Sequence, residues 1–167
     1  VNEGHSYWYD ITNLTDESGQ AEALVNCFTP GDTRKEMITY VKAENKAYLM
    51  TKFLDTKNVS FNQVGNDQIL LRYADVLLMY AEALNELGYD ASEGSIALKQ
   101  LNATRTRAGL TKLTAADVPT QESFRKAILD ERQKEFPYEG HRWFDLVRMG
   151  YAKSVLATQG LNIQDYQ

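Results

Sequence analysis

The sequence predicts a mainly α-helical fold behind an irregular N-terminal segment. Three observations carry this. Residues 68–88, QILLRYADVLLMYAEALNELG, repeat apolar side chains at spacings of three and four, the signature of a helix. The short connection YDASEG separates that stretch from a second helix-forming one, which predicts two antiparallel neighbours. Residues 1–35 are instead rich in Asn, Asp, Ser, Thr and Gly, which favour turns and caps. The expected organisation is a single domain over 1–167, irregular with short elements over 1–66 and helical over 67–160.

In chain order, AEALVNCF (21–28) reads as one short helix and TPGDTR (29–34) as a turn punctuated by Pro30 and Gly31. EMITYV and AYLMTKFL, within 36–64, hold β-branched and aromatic residues and leave room for one or two short strands. The long helix follows. Leu70, Tyr73, Ala74, Leu77, Tyr80, Ala81 and Leu84 make its stripe, and Ile69, Leu71, Val76 and Leu78 widen it. Only Arg72, Asp75, Glu82 and Glu86 form a polar strip, so this helix is expected to be packed on most sides. Asn66 or Asp67 is expected to cap its start, and Gly88 to close its end in a left-handed conformation. In the second helix Ala97, Leu101, Thr104 and Ala108 make the inner stripe, and Gly109 ends it. The two together, 68–108, look like one helix-turn-helix unit of the tetratricopeptide type. A solenoid needs about three such units, and one copy is clear. A third helix starts near Pro119–Thr120 and ends or kinks near Phe136, because Pro137 lacks a backbone donor and clashes with the preceding turn. HRWFDLVRMG adds a helical turn or two up to Gly150, and YAKSVLAT a last short helix.

Composition narrows the function. The chain of 167 residues has a net charge of −5, with Lys and Arg scattered among acids, so there is no basic patch for nucleic acid. No apolar run is long enough to span a membrane as a helix. Cys27 is the single cysteine, which excludes an internal disulfide, and it is expected to be a buried, inert thiol.

The chemistry-bearing residues are densest in ERQKEFPYEGHRWFDLVRMG, 131–150. His5 and His141 are the only histidines, and His141 with Asp145 at a four-residue spacing supplies two ligands at most, too few for a zinc site. No metal and no cofactor is expected. Nucleophile elbows and phosphate-binding loops are absent from the sequence. Glu131, Glu135, Glu139 and Asp145 are candidates for acid–base work, but Arg132, Lys134, Arg142 and Arg148 stand close by. Carboxylates held in ion pairs have lowered pKa values and make poor general acids. Trp143 and Phe144 have two readings, rings that stack on sugars or bases or a core anchor; the apolar run after them favours the anchor, with one of the two rings buried. Tyr7, Trp8 and Tyr9 lie in a polar, turn-rich segment. They read either as rings that stack on a sugar or contact a partner, or as a strap that tucks one ring in.

Three stretches, LRYADVLLMYAEALN, a helix ending in RTRAGL, and ERQKEFPYEGHRWFDLVRMG, occur in order and at the spacing of the hallmarks of the SusD/RagB family, which the chain resembles over about 21–150. EALVNCFTPGDTRKEMITY also resembles the family's segment around a D-x-R pair. The resemblance implies a mainly helical, tetratricopeptide-like protein. It implies a surface lipoprotein of the bacterial outer membrane that captures oligosaccharides or other nutrients without catalysis. The implied partner is a SusC-like TonB-dependent transporter, on which the protein sits as a lid. Arg72, Asp75, Glu135, His141, Arg142, Trp143, Phe144 and Asp145 form the matching structural signature. The Glu, His and Arg residues of 131–150 are expected to pair with one another and with the Arg72–Asp75 strip. The chain departs from the pattern in being much shorter than a typical member, in holding its cysteine mid-chain, where it cannot be a lipidation site, and in carrying Pro137.

Overall fold

The computed structural model describes residues 24–41, 47–52 and 69–157. These fall into two compact units that part between Leu70 and Leu71, with Thr29–Asp32 belonging to the second.

In the first unit a 3-10 helix, Thr33–Met37, leads into strand β1 (Ile38–Val41), which pairs antiparallel with β2 (Ala47–Met50). The register sets Ile38 opposite Met50 and Val41 opposite Ala47. Thr51 fastens the open end, its backbone N–H donating to the Met37 carbonyl at 2.7 Å and its hydroxyl at 3.0 Å. The strands thus fall in the β-branched and aromatic stretches that leave room for them. Cys27 is half-buried rather than buried.

The second unit is helical: α1 (Tyr73–Leu87), α2 (Ile96–Arg107), α3 (Gln121–Glu135), α4 (His141–Arg148) and α5 (Ala152–Ala157). The mainly α fold class read from the sequence is the one observed. Helix α1 packs on α2 and α3, α3 packs on α2 and α4, and α4 on α5. Glu135, at the end of α3, receives both Arg72 from the start of α1 and Arg107 from the end of α2. Helix α1 therefore runs antiparallel to both α2 and α3. Leu78, Ala81, Leu98, Leu101, Phe124 and Ile128 lie at the centre of the core, and the Tyr89 ring tilts against Phe124 at 5.8 Å.

Local chemistry explains most boundaries. The Ser95 hydroxyl accepts from the Leu98 N–H at the start of α2. Thr120 and Ser123 form a reciprocal capping box at the start of α3, with bonds of 3.1 and 2.9 Å. Gly109 takes φ 79° after α2, which lets Leu110 donate back to the Arg105 carbonyl at 3.0 Å. All four residues of the expected α2 stripe, Ala97, Leu101, Thr104 and Ala108, are buried. Helix α3 stops before Pro137, as its missing donor requires, with Phe136 at the C-cap.

Helix α1 corrects three expectations. It starts at Tyr73 with Arg72 as N-cap, not at Asn66 or Asp67, and no side chain caps it. Gly88 is extended (φ 170°), not left-handed. The helix is also not packed on most sides. Tyr73 and Tyr80, placed in the inner stripe, are 74% and 46% exposed, whereas Asp75, placed in the polar strip, is buried with Leu78, Ala81 and Asn85. Apolar residues occur all around this helix, so hydrophobic period alone does not select its inner face.

Candidate functional site

The residues singled out in 131–150 come together with the start of α1 in an arginine–carboxylate network. Arg132 on α3 is its buried centre. Its Nη1 donates to Asp75 Oδ1 on α1 at 2.6 Å and its Nε to Asp145 Oδ2 on α4 at 2.8 Å, all three side chains being less than a tenth exposed. Asp145 also receives Arg148 at 2.7 Å, and Arg148 reaches across to Glu82 on α1. At the other end Arg72 makes a two-pronged contact with Glu139, with bonds of 2.9 Å from both Nε and Nη2, and a further bond to Glu135 Oε1 at 2.6 Å. Arg107 joins Glu135 as well, and Arg105 lies 3.5 Å from Glu131. Planar, forked guanidinium groups suit such paired carboxylate contacts in a way that lysine does not.

Phe136 holds the two halves of the network together. The Arg72 guanidinium lies 4.6 Å and that of Arg132 4.9 Å from its ring centroid. Both distances allow cation–π attraction. The His141 ring tilts against the same phenyl at 4.9 Å. Burial works against the charge on Arg72, but its bonds to the Glu139 and Glu135 carboxylates outweigh it and raise its pKa above the ordinary arginine value. Arg148 behaves in the same way, with Glu82 and Asp145 outweighing its burial. Between α3 and α4 the chain turns through Pro137, Tyr138 (φ 61°) and Gly140 (φ 80°), which swings His141–Arg148 back over α3. Burial pushes the Tyr138 phenol up to about 12.

The expected pairing within 131–150 and with the Arg72–Asp75 strip is observed: Arg72 meets Glu135 and Glu139, Arg132 meets Asp75, and Asp145 receives Arg132 and Arg148. Glu135 also receives Arg107 from α2, and Arg142 donates to the Leu129 carbonyl at 3.2 Å. Arg105 and Arg107 were visible as the R-x-R of RTRAGL, but nothing local told where they reach. Trp143 and Phe144 are not core anchors: they are 46% and 69% exposed. On α4 the inward positions are taken by Asp145 and Leu146, so the two rings before them face outward. Tyr7, Trp8 and Tyr9 lie outside the described residues. Upstream, Asp32 and Arg34 of the D-x-R pair are both buried.

The arrangement is a clamp. Among the described residues no three or more His, Cys, Asp or Glu side chains gather as a metal site. Among them, too, no helix is long and apolar enough to cross a membrane.

Comparison with known proteins identifies the family. The model of the SusD family matches residues 17–166. The chain belongs to the SusD family. Within it, SusD-like protein P2 of Formosa agariphila is 37% identical over 105 residues, which cover 60% of this chain and 20% of that protein. SusD-like protein P25 of the same organism is 36% identical over 124 residues, 68% of this chain and 22% of its own length. Among solved structures, surface glycan-binding protein A from Bacteroides uniformis aligns with a TM-score of 0.63 and 30% identity over 86% of this chain and 33% of its own. A SusD superfamily protein from Bacteroides vulgatus aligns with a TM-score of 0.64 and 25% identity over 83% of this chain and 35% of its own. The chain thus spans 20–22% of the length of these curated SusD-like relatives, and it corresponds to a C-terminal region of family members.

Proposed function

We propose that the protein serves in non-catalytic capture of a nutrient, an oligosaccharide, at the surface of a bacterial cell. In this reading it works against a SusC-like TonB-dependent transporter in the outer membrane, as a lipoprotein whose anchor lies outside these residues. The observation that carries the reading is membership of the SusD family over residues 17–166, supported by the likeness to a protein described as surface glycan-binding. The chemistry of the clamp agrees. Glu135, Glu139 and Asp145 each sit on one or two guanidinium groups, which suits them to structure and not to proton transfer.

Tyr7, Trp8 and Tyr9 remain the proposed sugar-stacking group, since an aromatic face complements the apolar C–H face of a pyranose. Calorimetric titration with a panel of oligosaccharides tests this on the full-length protein. Binding that is lost in Trp8→Ala supports it. Binding of a peptide or other solute, with no oligosaccharide bound, would refute the sugar version. A second reading, a tetratricopeptide-like docking module without a ligand of its own, is favoured by one observation: the exposed apolar residues of α1.

A further inference from the structure

Helix α4 turns two aromatic rings outward that its own packing does not use. Trp143 is 46% and Phe144 69% exposed, and Val147, one turn after Trp143, is 51% exposed. Asp145 and Leu146 take the inward positions. The support beneath the rings is fixed. Asp145 is held by Arg132 and Arg148, and Arg142 donates to the Leu129 carbonyl on α3. Rings on a helix pinned in this way lose little freedom when a ligand stacks on them.

The surroundings narrow what that ligand is. Side chains on a helix lean towards its N-terminus, so both rings lean towards Gly140, four positions before Phe144 and three before Trp143. A β-carbon at Gly140 would meet no atom within 4 Å, so that side of the rings is open. Arg148 stands one turn after Phe144 and leans back towards it. Its side chain is 40% exposed, with Nε and Nη2 given to Asp145 and Nη1 to Glu82. A guanidinium carries more N–H donors than these bonds use, so some remain for a ligand. Its charge is already met by the two carboxylates, so a free anion finds little attraction here.

Size separates a sugar from a protein partner. A large aromatic side chain has about 150–250 Å² to bury, so these two rings with Val147 offer roughly 300 Å². A stable protein interface takes about 800 Å² from each partner. The face instead matches one or two sugar rings, whose C–H faces cover aromatic rings and whose hydroxyls accept from a guanidinium.

We propose that Trp143, Phe144 and Arg148 form a subsite for a neutral pyranose unit of the captured oligosaccharide. The two rings stack on its C–H face, and Arg148 donates to its hydroxyls. This rests on the oligosaccharide reading above and adds a place of contact to Tyr7, Trp8 and Tyr9.

Calorimetric titration of the full-length protein with maltoheptaose, cellohexaose, laminarihexaose and xylohexaose selects the sugar with which the variants are tested. Phe144→Ala is expected to bind it about tenfold more weakly at an unchanged melting temperature. Phe144→Tyr, which keeps the ring, is expected to restore the affinity. Carbene footprinting of the unaltered protein is expected to label Trp143 and Phe144 without sugar and to spare them at saturation. Unchanged affinity in Phe144→Ala, with binding lost in Trp8→Ala, overturns the subsite and leaves the oligosaccharide reading standing. Rings protected before sugar is added overturn the subsite too, since another part of the protein or a second copy then covers them. A loss of affinity that tracks a lower melting temperature, or that Phe144→Tyr does not restore, also counts against it. Failure of every sugar to bind overturns the reading and the subsite together.

Discussion

Replacing Arg132 with Met should unfold the helical unit far more readily than any surface change. Met keeps much of the aliphatic length and removes the charge. The loss is worked from the geometry. Arg132 meets Asp75 at 2.6 Å and Asp145 at 2.8 Å, and the three side chains are 4%, 7% and 4% exposed. Asp145 keeps Arg148, but Asp75 is left as a buried carboxylate without its cation. Removing one partner from a buried pair costs about 3–5 kcal/mol, because the stranded charge has lost its water as well as its partner. For a chain of this size that is a fall of roughly 6–20 °C in melting temperature. Urea unfolding followed by circular dichroism measures it. The decisive step is the second substitution. Asp75→Asn in the Arg132→Met background removes the stranded charge and should restore part of the loss, a coupling of about 1–3 kcal/mol in the double-mutant cycle. Additive effects, or a cost below about 1 kcal/mol for Arg132→Met alone, would refute the claim that this pair is buried and coupled.

Phe124→Ala, which empties a site only 1% exposed beside Tyr89, should cost about 3–5 kcal/mol in the same urea assay. Trp143→Ala should cost less than about 1 kcal/mol in the 167-residue chain, because half of the ring already meets water. The Tyr138 phenol is pushed from an ordinary value of 10.0 up to about 12 by burial, so its neutral form is favoured in the fold. The unfolded chain then loses this proton first. The contribution of Tyr138 is fully present below about pH 10 and is lost as pH rises towards about 12, which unfolding at stepped alkaline pH, compared with Tyr138→Phe, measures.

The parts of this fold that the sequence reveals are those decided by neighbours along the chain. The inner stripe of α2 is legible because Ala97, Leu101, Thr104 and Ala108 are its small and apolar positions and all face one way. The end of α3 is legible because Pro137 lacks a backbone donor. The faces of α1 and α4 are not legible, since partners far along the chain decide them. Asp75 stands in the polar strip by spacing alone, and its burial follows only from its pairing with Arg132, 57 positions away. Trp143 and Phe144 look like core residues until Asp145 takes the inward position to reach that same arginine. Asn85 is a quieter case. It is fully buried, its side-chain Nδ2 donating to the Gln121 backbone carbonyl at 3.2 Å and its backbone carbonyl accepting from the Gln121 side-chain amide at 2.7 Å. No spacing in QILLRYADVLLMYAEALNELG announces that exchange. The clamp stands between the two cases: the pairing of 131–150 with the Arg72–Asp75 strip is expected from the sequence and observed, whereas the reach of Arg105 and Arg107 to Glu131 and Glu135 has no local signal.

A buried ion pair is a poor source of net stability, since desolvation of two charges offsets most of their attraction. The clamp therefore needs another physical role, and α1 supplies it. Its apolar residues lie on both sides, so hydrophobic burial alone leaves two rotational settings close in energy. If the Tyr73–Val76–Tyr80 side turned inward, Asp75 would leave Arg132, and Arg132 would be stranded inside the unit with Asp145 alone. Arg72 would likewise give up its two-pronged contact with Glu139. Each costs more than the burial of one additional apolar side chain returns, about 1.5–3 kcal/mol. The carboxylate–arginine pairs thus select one rotational setting of a helix that hydrophobicity leaves ambiguous. Because polar contacts fix the inner face, the outer face is free to stay apolar. The double-mutant cycle at Asp75 and Arg132 tests this selection directly.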